Sequence, residues 1–542
     1  MLRTMTEVAF FTAFDNLSVI QAVLLLCGAF AAYLGWQYRD GRALFTRPRP
    51  DLWKVPGAQT FLLGDLPSIL STRGRQLDRF VSIGEEHAAV HKSDPSRAMT
   101  FTVPGRRMID ISKPEWLEYV QKTNFRNYQK GRRFHKNLSG LLGDGIFSVD
   151  GNAWHLQRKT TAKLFTGNNF RRVISAGLDH NLDRLTTIVG RHADSGQVFD
   201  LSDLFFRFTL SSFTEFAFGH DIGALSTETD APVPFAQAFD YAQVVMNNRF
   251  TNPFWPIFEY LNGDHWRVKE ATKQIDDFAY GIIAAREEEG LGGFTGEQKK
   301  EAAQADMLSL YMSLRDEEGA PLSRKMLRDA LLNLVIAGRD TTAQALSWTF
   351  FHLLLHPEHI APLRAEVDTL PSDKVDFDTF REMVQTPAVF MEGLRLHPSV
   401  PKNAWEALED DQIPGGPRIE KGDIVAWIDW KMARDPDVWG KDAKEFKPSR
   451  WVDEDGQLVK ESQWKAHMFN GGYRLCLGQQ LAMYEATAVL ASLFREFDFH
   501  FAPGFLETTR MADSEYTPAY KGALTLSMAA PLSVRATRRK RQ

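Results

Sequence analysis

Between Ser323 and Leu355 the chain keeps helical periodicity over what would be about 50 Å, and its middle is apolar nearly all round. Such a helix belongs in the interior of a folded body, which favours a domain built mainly of helices. Yet Gly338–Arg339–Asp340–Thr341–Thr342 interrupts the run that includes Leu331, Leu332, Asn333, Leu334, Val335, Ile336 and Ala337. Glycine lowers helix stability and hydroxyls divert backbone hydrogen bonds, so a polar break here is costly. Two explanations stand: a packing or ligand requirement, or an ordinary core helix with a satisfied Asp–Thr cap.

The remaining pattern gives a fold that is mainly α with a small β component. Helical spacing recurs over Trp154–Phe165, Leu201–Phe218, Glu270–Arg286, Thr379–Leu396 and Gln479–Phe497. Thr100–Val103 and Arg107–Ile111 alternate around Pro104–Gly105 and predict a hairpin, and a second alternating stretch lies near Asp423–Trp430. Residues 287–304 read as a solvated connection, and the basic tail Arg535–Arg541 as a solvated end or a contact with anionic lipid. The 64 basic and 69 acidic side chains give a net charge of −5, which argues against nucleic acid as a partner.

Residues 16–38 carry no charge and are long enough to cross a bilayer. Tyr33, Trp36 and Tyr38 suit its interface, and Arg39, Arg42, Arg47 and Arg49 follow. A short N-terminal segment (1–15), a transmembrane anchor (16–38), a basic, Pro-rich linker (39–67) and one large domain (68–542) are expected. The positive flank predicts a cytosolic body; a cleaved signal peptide is disfavoured because the basic n-region is missing. The linker, punctuated by Pro48, Pro56 and Pro67, is either a semi-rigid tether or a simple lead-in loop.

Two cysteines exclude a disulfide framework and any multi-Cys metal site. Cys27 lies in the apolar span, which leaves Cys476 as the thiol of the body. It follows Phe469–Asn470–Gly471–Gly472–Tyr473–Arg474–Leu475 and precedes Leu477, Gly478 and a helix. A thiolate just before a helix N-terminus is favoured by the macrodipole and by backbone N–H groups. Those are the requirements of a metal ligand, and without partner cysteines haem iron suits the site better than zinc. An inert buried thiol and a nucleophile awaiting a histidine are the other readings.

The segment Phe469–Gly478 resembles the F-x-x-G-x-R-x-C-x-G loop of the cytochrome P-450 superfamily, the haem-thiolate monooxygenases. Ala337–Gly338–Arg339–Asp340–Thr341–Thr342 resembles that family's oxygen-activation motif. Glu392–Gly393–Leu394–Arg395 resembles its E-x-x-R, Phe446–Lys447–Pro448–Ser449–Arg450–Trp451 its meander, and Trp154–Arg158 its W-x-x-x-R helix. The motifs stand in family order and the resemblance covers about residues 50–530. It implies the cytochrome P-450 fold, with haem b (iron protoporphyrin IX) between the long central helix and the cysteine loop.

Cys476 is then the metal ligand, and Trp154, Arg158, Ala337, Gly338, Phe469, Arg474 and Gly478 are expected around the cofactor. Trp154 and Arg158, spaced i,i+4 on one helix face, are suited to grip a propionate, and Arg474 to do the same. Glu392, Arg395 and Arg450 are expected to form a structural ion-pair network. Members resembling this chain often carry a propionate-binding arginine where this sequence has Asn403–Ala404–Trp405, with Lys402 or His397 as the substitute. Asp340 is expected to carry protons and Thr341 to relay them through water, while Gly338 makes room for O2.

The resemblance further implies insertion of one oxygen atom from O2 into a C–H bond, with electrons from NADPH. No flavin or nicotinamide domain follows Cys476, so a separate NADPH-cytochrome P-450 reductase is the expected partner, with cytochrome b5 as a second. Lys130, Arg132 and Arg133 are candidates to dock it, against a plain solvated turn. An endoplasmic reticulum membrane location with a single-pass N-terminal anchor goes with this. Leu204–Thr209 with Thr214–Gly219, Leu141–Phe147 and Cys476–Gln480 are most like the fungal alkane and fatty-acid ω-hydroxylases and the related plant enzymes. Terminal or near-terminal hydroxylation of a long-chain fatty acid or alkane is the expected reaction. The alternatives are the same chemistry on a terpenoid, polyketide or other lipophilic metabolite, and a haem-binding sensor or carrier without turnover. The aromatic stretch Phe250–Leu261 either dips into the bilayer or packs in the core.

Overall fold

The computed structural model describes residues 19–72, 74–91, 97–226, 233–288, 306–315, 319–509 and 518–540. At its centre the long helix forms as Arg324–Val335, a π-helical turn at Ile336–Asp340, and Thr341–Leu355. Ser323 starts it, its hydroxyl accepting the Met326 N–H at 3.2 Å. The interruption is therefore a bulge inside a continuous helix, the usual way to seat an extra polar residue without ending it.

Leu201–Phe218 packs across both the π turn and Thr341–Leu355. Asp200 caps its start by accepting the Ser202 N–H at 2.9 Å, and Gly219 closes it in the left-handed region. Ser175–Ser195, Pro234–Thr251, Asp264–Glu288, Gln385–Leu396 and Gln479–Glu496 pack around these helices in a continuous core that includes Phe205, Trp348, Phe350, Leu490 and Phe494. The helix expected from Thr379 begins only at Gln385, because Pro387 fits a first turn and nowhere deeper. Glu366 accepts the N–H groups of Gln385 and Thr386 at 2.9 and 2.8 Å, satisfying that turn.

The β component is a six-stranded sheet in the order Trp53–Lys54, Met99–Val103, Arg106–Asp110, Ile424–Trp427, Asn403–Ala407, Tyr128–Gln129. The hairpin forms where the alternation places it, with Thr100 opposite Ile109 and Val103 opposite Arg106. Near Asp423–Trp430 only Ile424–Trp427 is strand, after which Asp429–Met432 turns helical. The C-terminal tail is not a free end: Ser533–Arg538 pairs antiparallel with Phe497–Phe501, and Arg539 reaches Asp368 at 2.6 Å. Residues 1–18, and the expected connection from residue 289 onward to 304, lie outside the described residues.

Val19–Gln37 is one apolar helix with a mean hydropathy of 1.9 over its best window, and the body buries none of it. It is a candidate membrane anchor. The segment after it is not a loose tether. Arg49 is buried between Asp51 at 2.6 Å and Asp423 at 3.2 Å, Arg42 is buried on Asp40 at 2.6 Å, and Trp53 joins the sheet beside Met99. Of the four arginines expected at the interface, only Arg39 and Arg47 stay exposed.

Candidate active site

The cysteine loop is built by close backbone packing. Cys476 donates its N–H to the Phe469 carbonyl at 2.9 Å, closing the loop on itself. Gly472 adopts a positive φ of 59°, and a Cβ there would lie 2.4 Å from the Gln121 carbonyl oxygen, so no other residue fits. Gly478 caps the eighteen-residue helix Gln479–Glu496, and its N–H points at the Cys476 sulfur. A Cβ at Gly478 would meet that sulfur at 3.9 Å, an ordinary contact, so the glycine is not demanded by space alone. The Cys476 thiol is exposed, yet the protein atoms crowding it raise its pKa, while the Gly478 N–H and the Arg158 charge oppose the rise.

Around the thiol stands a cationic, aromatic group. The Arg474 guanidinium lies 4.5 Å from the centre of the Trp154 ring, and that of Arg158 5.8 Å from it. Arg474 pairs with Asp150 at 2.7 Å; among the described residues Arg158 has no carboxylate partner. Burial pulls the Arg474 pKa down to about 10, with Asp150 opposing and Arg158 adding to the fall. Lys130 belongs here as well. Its Nζ sits 4.5 Å above the Phe134 ring, and burial together with Arg474 lowers its pKa to about 7. It is half-buried against that ring, whereas Arg132 and Arg133, the other docking candidates, are exposed.

Trp405 occupies the position where an arginine was missed. It is 1% exposed, its ring lies 5.8 Å from that of Phe125 and 6.0 Å from the Arg474 guanidinium, and its indole N–H has no partner among the described residues. Three cations against one carboxylate, with an orphaned N–H beside them, suit a ligand bearing two carboxylates next to a thiolate-bound metal. The two propionates of haem meet that description. His397 does not join this group. It is fully buried, stacked on Trp348 at 4.2 Å and hydrogen-bonded to His352 at 3.0 Å, with burial holding its pKa well below the usual range. Its expected propionate contact is therefore corrected: the short distance in sequence to Trp405 hides a turn that sends the imidazole into the helical core.

The π turn carries the second group. The Thr341 hydroxyl donates to the Ala337 carbonyl at 2.7 Å, and the Thr341 carbonyl accepts from the Ser399 hydroxyl at 2.8 Å. Asp340 is buried, accepting from Arg339 at 2.7 Å and from the Gln243 amide at 2.6 Å. Burial raises its pKa to about 6, Arg339 opposing and Asp240 assisting. Arg339 also holds Asp240 at 2.7 Å, whose side chain is 57% exposed, so a charged chain runs from Asp340 to solvent. Gly338 serves a different purpose from the one expected. A Cβ there would fall 1.9 Å from the Phe213 ring, so the missing side chain admits Phe213 of Leu201–Phe218 and not O2.

A third group holds the cysteine side of the fold together. Glu392 accepts both Arg395 nitrogens at 2.7 and 2.8 Å, Arg450 at 3.0 Å, the Lys447 N–H at 2.8 Å and the Trp451 indole at 2.9 Å. Two helices link the groups. Thr341–Leu355 and Gln479–Glu496 pack on each other, and each begins at one of the two motifs.

The cytochrome P450 family model matches residues 80–516, and the chain belongs to that family of monooxygenases. It is 44% identical over 451 residues to cytochrome P450 monooxygenase cyp1 of Mycosarcoma maydis, covering 81% of this chain and 70% of that protein. Cytochrome P450 86B1 of Arabidopsis thaliana is 36% identical over 422 residues, 74% of each chain. Cytochrome P450 704B1 of the same plant is 32% identical over 479 residues, 82% of this chain and 89% of the relative. The family implies haem iron, a redox partner, O2 and an organic substrate. The place of Lys130 and Trp405 beside Arg474 was not legible in the sequence, because Arg474 is distant from both along the chain and neither residue stands inside a motif.

Proposed function

We propose that the protein is a membrane-anchored monooxygenase of the endoplasmic reticulum that hydroxylates long-chain fatty acids or alkanes at or near the chain end. Electrons come from NADPH through a separate reductase. The observation that supports the substrate class is an exposed apolar helix that follows directly on a helix walling a small cavity. Helix Trp255–Leu261 exposes Ile257, Phe258, Tyr260 and Leu261, the last 75% accessible, while its Glu259 is tied inward to Arg249 at 2.7 Å. An exposed apolar face of this size does not pack in the core and suits immersion in lipid. The helix before it, Pro234–Thr251, ends in Asn247, Asn248 and Thr251, which wall a cavity of about 60 Å³. The likeness of Leu204–Thr209, Leu141–Phe147 and Cys476–Gln480 to ω-hydroxylases supports the same class.

In this reading Cys476 holds the haem iron, Arg158, Arg474, Lys130 and the Trp405 N–H hold the propionates, and the Gly478 N–H steadies the thiolate. When bound, a thiolate-ligated haem supplies the electron density that activates O2. Asp340 exchanges its proton with solvent on the Asp240 side, Arg339 staying a protonated guanidinium that holds the two carboxylates together, and its raised pKa keeps it exchangeable near neutral pH. Thr341, fixed on the Ala337 carbonyl, passes that proton onward by rotating its hydroxyl.

The test is incubation of membranes carrying the full chain and a reductase with NADPH and long-chain acids, alkanes and terpenoids. The expected product is a terminal or near-terminal hydroxy acid or alcohol. NADPH consumption accelerated only by terpenoids or polyketides would instead favour the secondary-metabolite reading.

A further inference from the structure

Lys402 was expected near a propionate, and the structure puts it elsewhere. Its ammonium donates to the Gln76 amide oxygen at 2.7 Å and lines the cavity of about 60 Å³ described above. The lining is amphipathic: Leu77, Pro401 and Leu526 supply apolar wall, Gln76 and Asn247 supply amides, and Lys521 adds a second cation. No acidic residue lines it among the described residues, and no carboxylate pairs with Lys402 there. Burial lowers the Lys402 pKa to about 8, as expected of an ammonium held without an anion.

The wall of the cavity is hydrogen-bonded to the helix that carries Thr341. Ser399, three residues before Lys402, bonds the Thr341 carbonyl, and Leu526 bonds the Ser399 carbonyl at 2.9 Å. Gln344, one turn beyond Thr341, donates to Thr525 at 2.8 Å. One wall of the cavity is thus fastened directly to the helix that carries Thr341.

We infer that Lys402 is the anchor for the carboxylate of a long-chain acid, holding the head group at the cavity while the chain runs toward Thr341. The inference rests on the fatty-chain reading of the function. A cation with only a neutral amide partner, in a cavity without acidic groups, is the chemistry that selects an anionic head over an uncharged one.

The experiment compares wild type, Lys402→Met and Lys402→Arg as full-length membrane protein with haem bound. A long-chain fatty acid and the fatty alcohol of equal length are titrated against the substrate-induced shift of the Soret band. Lys402→Met should weaken binding of the acid about tenfold or more and leave the alcohol unchanged, and Lys402→Arg should keep most of the affinity for the acid. Equal loss for acid and alcohol, or no loss for the acid, overturns the anchor while leaving the fatty-chain reading standing. Wild type that binds neither acid nor alcohol overturns both.

Discussion

Glu392 and Arg395 form a doubly hydrogen-bonded ion pair that is completely enclosed, and the carboxylate accepts three further donors from the Lys447–Trp451 segment. The remaining nitrogen, Nη1, donates to the carbonyls of Ala433 and Ala443, the latter at 2.8 Å, and Nη2 also reaches the Glu445 carbonyl at 3.0 Å. Removing one partner strands the other charge in the interior at a cost of about 3–5 kcal/mol, a large part of the stability of a domain. Glu392→Ala and Arg395→Ala should therefore yield little folded, haem-containing protein, measured as haem per unit of soluble or membrane-inserted chain. Full haem content in either variant would contradict the account.

Thr341 should be dispensable for haem binding and required for efficient use of electrons. Its hydroxyl donates to the Ala337 carbonyl one turn earlier in the same helix, and among the described residues it bonds no other element. Thr341→Ala is expected to keep its spectrum while product formed per NADPH falls and hydrogen peroxide rises. Unchanged coupling would remove Thr341 from the proton path.

Gly338 is predicted to matter through Phe213. Gly338→Ala overpacks the contact and should cost about 1–3 kcal/mol, with the loss partly recovered by Phe213→Leu in the same chain. Melting temperatures of the two single variants and the double variant decide it. Additive losses would show that the two residues are not coupled.

Glu485 gives a pH signature. It is buried on the cysteine helix with the Ser212 hydroxyl at 2.6 Å, and burial pushes its pKa up to about 8 from an ordinary value near 4.5, with Ser212 opposing the rise. Between those values the folded protein holds a proton that the unfolded chain has lost, so this group's contribution to stability falls as pH rises from about 4.5 to about 8. Glu485→Gln removes that slope, and its melting temperature should exceed that of wild type most clearly near pH 8. Identical pH profiles for the two proteins would contradict the assignment.

What could be read in advance follows the range of the contacts. The helices Leu201–Phe218 and Gln479–Glu496 and the hairpin around Gly105 come from local periodicity and turn chemistry, and they form with nearly the expected limits. The Glu392–Arg395 pair is likewise local, one turn apart on one helix. Gly338 looked like space for O2 because its neighbour in space, Phe213, is distant in sequence. His397 and Lys402 were plausible propionate ligands until the chain direction after Leu396 placed one in the helical core and the other in the cavity. The arginines after the anchor suggested a membrane flank, whereas Arg42 is held by its neighbour Asp40 and Arg49 by Asp51 and by Asp423 of the body.

The central claim, that Cys476 ligates haem iron, is tested most directly by the carbon-monoxide difference spectrum of reduced membranes carrying wild type or Cys476→Ala. The account predicts a strongly red-shifted Soret band for wild type and its loss in the variant. An unshifted band from wild type, or a red-shifted band that survives Cys476→Ala, would contradict it.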